Sequence, residues 1–212
     1  MIKQVDYTHY NFEKYISKKR WSSIWYQVKE IISIKPNNVL EIGPGLGIFK
    51  MIMKKSNINV ETIDIDKDLN PDYVGSVLNL PFNANSYSVV CAFQILEHLP
   101  YNESLLAFKE IVRVADKYVV ISLPDSKKAI SITVRIPKLS ECNIIIPIPL
   151  TGKKKHIYAG EHYWELNKRG YNVKKVKNDY LQCHDCDLRL LKEYSVPEYP
   201  YHCFFVFEKI SY

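Results

Sequence analysis

The 212-residue sequence lacks the features that would carry it out of a cell or into a bilayer. Its opening, MIKQVDYTHYNFEKY, has no basic-then-apolar-then-small order of a secretory signal, so a cytoplasmic protein is expected. No long apolar run is uninterrupted. The most apolar stretch, residues 129–150, contains Arg135, Pro137, Lys138, Glu141, Pro147 and Pro149, which excludes a lipid-exposed span. The 5 cysteines are odd in number and come without an export signal, which argues for reduced thiols rather than a disulfide framework. Cys183 and Cys186 form half of a zinc-site spacing, with His184, Asp185, His202 and Cys203 as further ligand types. No second CxxC completes the set, so loop cysteines and no metal are expected. No internal repeat is visible. No RNP-like aromatic motif, helix-turn-helix pattern or paired zinc module accompanies the net charge of +6. Charge alone therefore identifies no partner.

What is present is an ordinary globular composition, 47% hydrophobic and 25% charged, long enough for one large α/β domain. Residues 11–34 read as an amphipathic helix ended by Pro36. NVLEIG then reads as a buried strand opening into a glycine turn, and IFKMIMKK as a helix. NVETIDID and SYSVVCAFQIL are further strands. An acid-first, base-last helix over residues 102–117 precedes another buried strand, KYVVISLPD. Strand and helix alternate, which predicts right-handed crossovers and a mostly parallel sheet covered on both faces. Past Asp125 an Ile- and Pro-rich stretch and the basic run TGKKKH make a connection too long for an ordinary loop. A helix over residues 161–168, a stop at Gly170, a strand at YNVKKVK and a last strand at HCFFVFEKI complete the reading.

The sharpest chemical signal is EIGPGLG, residues 41–47, set between strand and helix where backbone must pass close to a ligand. Its glycines fall at 43, 45 and 47. A dinucleotide fingerprint needs the third at 48, which is Ile48, so nicotinamide binding is disfavoured. Asp64 closes the next strand, at about the distance where an acid accepts bonds from ribose hydroxyls. Turn and acid together imply a nucleoside; apart, each reads as a tight βα turn and a solvated strand end.

With these residues in view, the sequence resembles the class I methyltransferases that use S-adenosylmethionine. VLEIGPGLG is similar to their first motif, ETIDID to the acid motif of the second strand, GSVLNLPF to the adenine-flanking segment, and SYSVVCAFQILEHLP to the fourth-strand motif. These stand in order over residues 39–100, and the likeness continues through KYVVISLPD into HIYAGEHYWELNKRGYNV. The resemblance implies a Rossmann-like, doubly wound, mostly parallel seven-stranded sheet with an antiparallel final strand and helices on both faces. It implies one domain over residues 1–212, with a helical segment 1–36 and a lid-like insertion 125–155 that no motif covers. It further implies that Glu41 orients the turn and the cofactor amino group, and that Gly43, Gly45 and Gly47 admit the methionine part. Asp64 would hold the ribose, and Gln94 would line the transfer site. Ser76 stands where the family commonly has an acid, which passes adenine recognition to its hydroxyl or to the Val77 backbone; Ser88 likewise replaces a common Asp.

Methyl transfer from a sulfonium is an in-line displacement in which alignment matters most and a base is useful but not obligatory. His98, in LEHLP, and His156, at the start of the late segment, are the base candidates, with loop packing as the competing reading of each. Glu97 is expected to pair with a backbone amide or a lysine. Tyr101 and Tyr158 are discounted as pocket residues because the chain has 16 tyrosines. The acceptor is expected to be a small molecule or glycan-type group with oxygen or nitrogen as nucleophile, beneath a hydrophobic lid. Two alternatives remain: a non-catalytic S-adenosylmethionine-binding protein, suggested by Ser76 and Ser88, and an RNA- or nucleotide-directed enzyme, suggested by Lys153–Lys155 and Lys174, Lys175 and Lys177.

Overall fold

The computed structural model describes residues 15–138, 141–149 and 154–210. Helix α1, Lys18–Ile34, is capped by Ser17, whose side chain accepts from the Arg20 N–H, and ends at Lys35 in the left-handed region. Within the expected helix over residues 11–34, Tyr15 is helical and Ile16 and Ser17 break the run before Lys18; residues 11–14 lie outside the described residues. Next come β1 (Val39–Ile42), α2 (Ile48–Lys55), β2 (Val60–Asp64), β3 (Tyr73–Val74) and β4 (Tyr87–Phe93). α3 (Tyr101–Val114) and β5 (Ala115–Pro124) follow. Residues 115–117, read from sequence as the helix end, belong to the strand.

The sheet runs β3-β2-β1-β4-β5-β9-β8, with β8 spanning Leu188–Val196 and β9 Tyr199–Lys209. Every pair from β3 to β5 is parallel, and β9 inserts antiparallel between β5 and β8. The sequence expectation of fold class therefore holds. Successive strand residues point to opposite faces. Val89, Cys91 and Phe93 join Phe204 and Val206 under α1 and α2, whereas Val90 and Ala92 join Phe205 and Phe207 under α3. Near-continuous apolar strands buried on both faces are what a covered parallel sheet requires.

Two sequence expectations fail in the C-terminal third. Residues 161–170 form an irregular loop rather than a helix, anchored by fully buried Trp164. YNVKKVK is no strand but the start of α4, Val173–Gln182, because Val176 and Tyr180 recur at helical spacing and Asn172 caps it, accepting from Lys175 N–H at 2.9 Å. Tyr180 stacks on Phe108 of α3 at 4.4 Å between ring centres. Within the insertion, β6 (Ala129–Val134) and β7 (Cys142–Pro147) pair as an exposed hairpin. Among the described residues no helix is long and apolar enough to cross a membrane.

The chain winds outward from β1 to β3, then returns to β4 and on to β5, so the order reverses between β1 and β4. In such sheets ligands bind at the carboxyl ends of the strands at this reversal. Glu41 to Gly47 and Phe93 to His98 are the segments that leave it.

Candidate active site

The turn after β1 is built on left-handed backbone: φ is +71° at Gly43 and +68° at Gly47. Gly43 N–H donates to the Ile63 carbonyl at 2.9 Å, tying the turn to β2. A Cβ on Gly43 would stand 2.0 Å from Ile95 Cδ1, while one on Gly47 would meet nothing within 4 Å. The first glycine lets β1 and β4 segments close; the second leaves an open concavity at the start of α2.

Glu41, just before this turn, is buried, and among the described residues its Oε2 has no hydrogen-bond partner. Burial pushes its carboxyl up to about 8, with Lys50 pulling it down and Asp64 adding to the rise. Glu41, Gly43 and Gly45 line a cleft together with Phe93 and Gln94 from β4 and Tyr15, Arg20 and Gln27 from the N-terminal segment. Gln94, with φ +59°, is held at its backbone N–H by the Ser122 carbonyl at 3.0 Å and at its amide by the Ser122 hydroxyl at 3.2 Å. His202 also lines the cleft, bound through Nδ1 to the Ser23 hydroxyl at 2.7 Å. Burial, with Arg20 and His162 nearby, pushes this imidazole down to about 3, so the ring is neutral.

Asp64 ends β2, one Oδ accepting from the Asp66 N–H at 2.8 Å while its carbonyl accepts from Gly75 N–H at 2.8 Å. Asp64, Ser76 and Val77 stand outside the lining of the cleft that Glu41 and Gln94 share. The Ser76 hydroxyl accepts from Leu78 N–H at 3.2 Å, and Val77 is core. The loop that carries them is pinned from α3, a feature not read from the sequence. Arg113 donates to the Phe82 and Leu80 carbonyls at 2.8 and 3.1 Å, and Glu110 accepts from Leu80 N–H at 3.1 Å. Ser88 proves to be a staple at the start of β4, accepting from the Asn37 and Asn38 backbone amides at 3.0 Å.

A second group of polar residues assembles where the turn Leu96–His98 meets the loop after the insertion. Tyr163 N–H donates to the Glu97 carbonyl at 2.8 Å, which brings His162 against His98 with ring centres 4.9 Å apart, edge to face. His98 Nδ1 lies 3.2 Å from the Glu161 carbonyl. His162 Nδ1 lies 3.1 Å from Glu165, which also accepts from the Tyr201 hydroxyl at 2.7 Å. Burial works to lower the His162 pKa, but the Glu165 hydrogen bond and the Glu97 charge hold it above its ordinary value. Glu97 departs from the expected amide or lysine pairing: its side chain is wholly buried, burial pushes its carboxyl up to about 8 with His162 pulling it down, and among the described residues neither oxygen has a hydrogen-bond partner. The signal for this group was the Glu97-His98 dipeptide and the late His162, residues brought together only by the fold. His156 lies apart from the cleft lining, its Nε2 donating to the His162 carbonyl at 2.7 Å.

The cysteine pair stays half-buried at the end of α4. Cys183 donates to the Tyr180 carbonyl at 3.4 Å, Cys186 contacts His184 Nδ1 at 3.4 Å, and burial pushes the Cys183 thiol up to about 11. Two of the α4 lysines are paired, Lys175 with Asp179 and Lys177 with Glu193. Lys154 and Lys155 are described and Lys153 is outside the described residues.

A cleft at the switch point of a doubly wound sheet, bordered by a glycine turn and a buried acid, is the candidate site. The methyltransferase domain family matches residues 9–173, most of the chain, and the protein belongs to that family. The ribosomal RNA small subunit methyltransferase A of Francisella tularensis is 23% identical over 154 residues, covering 58% of this chain. The chain spans 57% of the length of that curated relative. Among solved structures, the CcbJ methyltransferase of Streptomyces caelestis has a TM-score of 0.62 at 10% identity, covering 99% of this chain and 100% of its own. A protein of Pyrococcus horikoshii has a TM-score of 0.61 at 16% identity, covering 97% and 100%. The 1,6-didemethyltoxoflavin-N1-methyltransferase of Burkholderia thailandensis has 0.59 at 12%, covering 90% and 80%. At these identities the likeness is one of fold.

Proposed function

We propose that this enzyme moves the sulfonium methyl of S-adenosylmethionine by in-line displacement to an oxygen or nitrogen of a small-molecule or glycan-type acceptor. The observation that carries the reading is that Tyr15, Arg20 and Gln27 of the N-terminal segment line one cleft with the glycine turn and Gln94, which suits a small acceptor held between these segments.

The residues present fit the cofactor. An ammonium is the donor that the buried, unpartnered Oε2 of Glu41 lacks, and the open space at Gly47 leaves room for backbone approach. In this reading Glu41 takes the amino group, Gly43, Gly45 and Gly47 admit the methionine part, and Asp64 takes the ribose hydroxyls. Ser76 and the Val77 backbone flank the adenine, and Gln94, held by Ser122, borders the reacting end. When bound, the cofactor supplies an activated methyl on a positive sulfur. The protein's part is to orient the acceptor and exclude water, worth about 7–11 kcal/mol of barrier when alignment is good. A proton leaving an acceptor hydroxyl falls to the His98–His162 pair; His156 positions that loop through the His162 carbonyl. The exposed β6–β7 hairpin, with Ile130, Ile132, Ile144 and Ile146 on one face, serves as the lid over an apolar acceptor.

The likeness to a ribosomal RNA enzyme favours a second reading, an RNA acceptor. Against it, Lys175 and Lys177 are already neutralised by Asp179 and Glu193. Incubation with methyl-labelled cofactor and, separately, a fractionated metabolite extract and total RNA tests both. Label in the small-molecule fraction supports the leading reading; label only in nuclease-sensitive material overturns it in favour of RNA. No label in either leaves the non-catalytic binder standing.

A further inference from the structure

We propose that Glu97, His98 and His162 form a binding site for a divalent first-row transition cation at the acceptor side of the cleft. One ligand atom from each of these three residues lies within 4.8 Å of the others. Two imidazoles and one carboxylate, with the remaining positions open, are the donor set that suits zinc, cobalt or iron in the divalent state.

Two independent observations point to a cation. The Glu97 carboxyl is wholly buried and among the described residues both its oxygens lack a hydrogen-bond partner, an arrangement that native proteins seldom leave. A cation between the imidazoles would satisfy these oxygens. The orientation of the two rings is the second observation. His98 has Nδ1 against the Glu161 carbonyl at 3.2 Å, and His162 has Nδ1 against the Glu165 carboxylate at 3.1 Å. Donation from Nδ1 to an outer carboxylate orients the His162 ring in the way metal-ligating histidines are oriented. Glu165 is itself held by the Tyr201 hydroxyl at 2.7 Å, completing an outer layer that would keep the ring in place.

The site adjoins the cleft. Tyr15 and His202, both in the cleft lining, lie within electrostatic reach of Glu97 and His162 respectively. Resting on the transferase reading above, the open positions would take an acceptor hydroxyl as a further ligand. The cation would lower the pKa of that hydroxyl and fix its oxygen for attack. With both imidazoles ligating the cation neither takes the proton, which leaves the hydroxyl for solvent water.

Cobalt(II) titration of chelator-treated protein tests the site apart from activity. We expect one cobalt per chain, visible by its d–d absorption without a thiolate-to-cobalt charge-transfer band. Affinity should fall at least tenfold in Glu97→Gln and in His162→Asn, with circular dichroism unchanged. Tyr201→Phe, which only loosens Glu165, should weaken binding by about tenfold. No cobalt bound by the unaltered chain overturns the proposal, as does binding that survives both ligand substitutions. A thiolate band would place the ion at Cys183 and Cys186 and overturn it equally. Should the ligand variants not fold, a Cys183→Ser/Cys186→Ser double variant takes their place, and retained binding is the supporting result. Cobalt binding without any methyl transfer would contradict the acceptor reading and leave the cation site intact; transfer with no cation bound would do the reverse.

Discussion

Ile95 Cδ1 occupies the space that a Cβ on Gly43 would need, 2.0 Å from its ideal position. The contact joins the turn after β1 to the segment leaving β4, the two elements that flank the switch point. Gly43→Ala adds this collision to the strain of a side chain at φ +71°. Together they cost about 2–5 kcal/mol, the sum of left-handed strain and overpacking. Gly47→Ala carries the strain alone, about 1–2 kcal/mol. Calorimetric melting of the two variants checks the order: Gly43→Ala should melt well below Gly47→Ala, and equal losses would mean that Ile95 gives way.

Arg113 holds the loop over residues 78–82 by two backbone carbonyls and aligns Glu110 for the third contact. Arg113→Ala should cost about 1–3 kcal/mol in stability, since it also strands Glu110. Because this loop follows Ser76 and Val77, the same variant should bind S-adenosylhomocysteine more weakly. Unchanged binding at full occupancy would show that the loop does not flank the adenine.

Glu41 makes stability depend on pH. Its carboxyl titrates near 4.5 unfolded and at about 8 folded. Below pH about 4.5 both states hold the proton. As pH rises from there to about 8, the folded chain keeps a proton that the unfolded chain has released, so Glu41's contribution falls by at most about 1.4 kcal/mol per unit. Above about 8 the loss levels off. Unfolding followed by denaturant across this range should show a smaller decline in Glu41→Gln than in the unaltered protein; parallel declines would contradict the buried, protonated carboxyl.

Much of the cofactor half was legible because local rules and tertiary needs coincide there. A glycine turn after a fully apolar strand, and an acid closing the next one, are short-range patterns that the fold keeps. Residues 173–182 were misread because Val173, Val176 and the lysines suit a strand locally, while Tyr180 stacking on Phe108 decides for a helix. The run at residues 161–168 has helical composition, yet Trp164 and the bond from Tyr163 to Glu97 hold it as a loop. Strand β8 and the β6–β7 hairpin carried no recognised motif. The Glu97, His98, His162 group spans 65 positions of chain and closes only through that loop, so no spacing rule exposes it.

The central claim is methyl transfer supported by Asp64, and its most direct measurement combines label transfer with calorimetry. The unaltered chain should transfer methyl label to a small-molecule fraction and bind S-adenosylhomocysteine. Asp64→Ala, losing one or two hydrogen bonds to a charged acceptor at about 1.5–3 kcal/mol each, should weaken that binding by at least about tenfold while the fold persists. Equal binding by both chains, or no transfer by the unaltered one, would contradict the account.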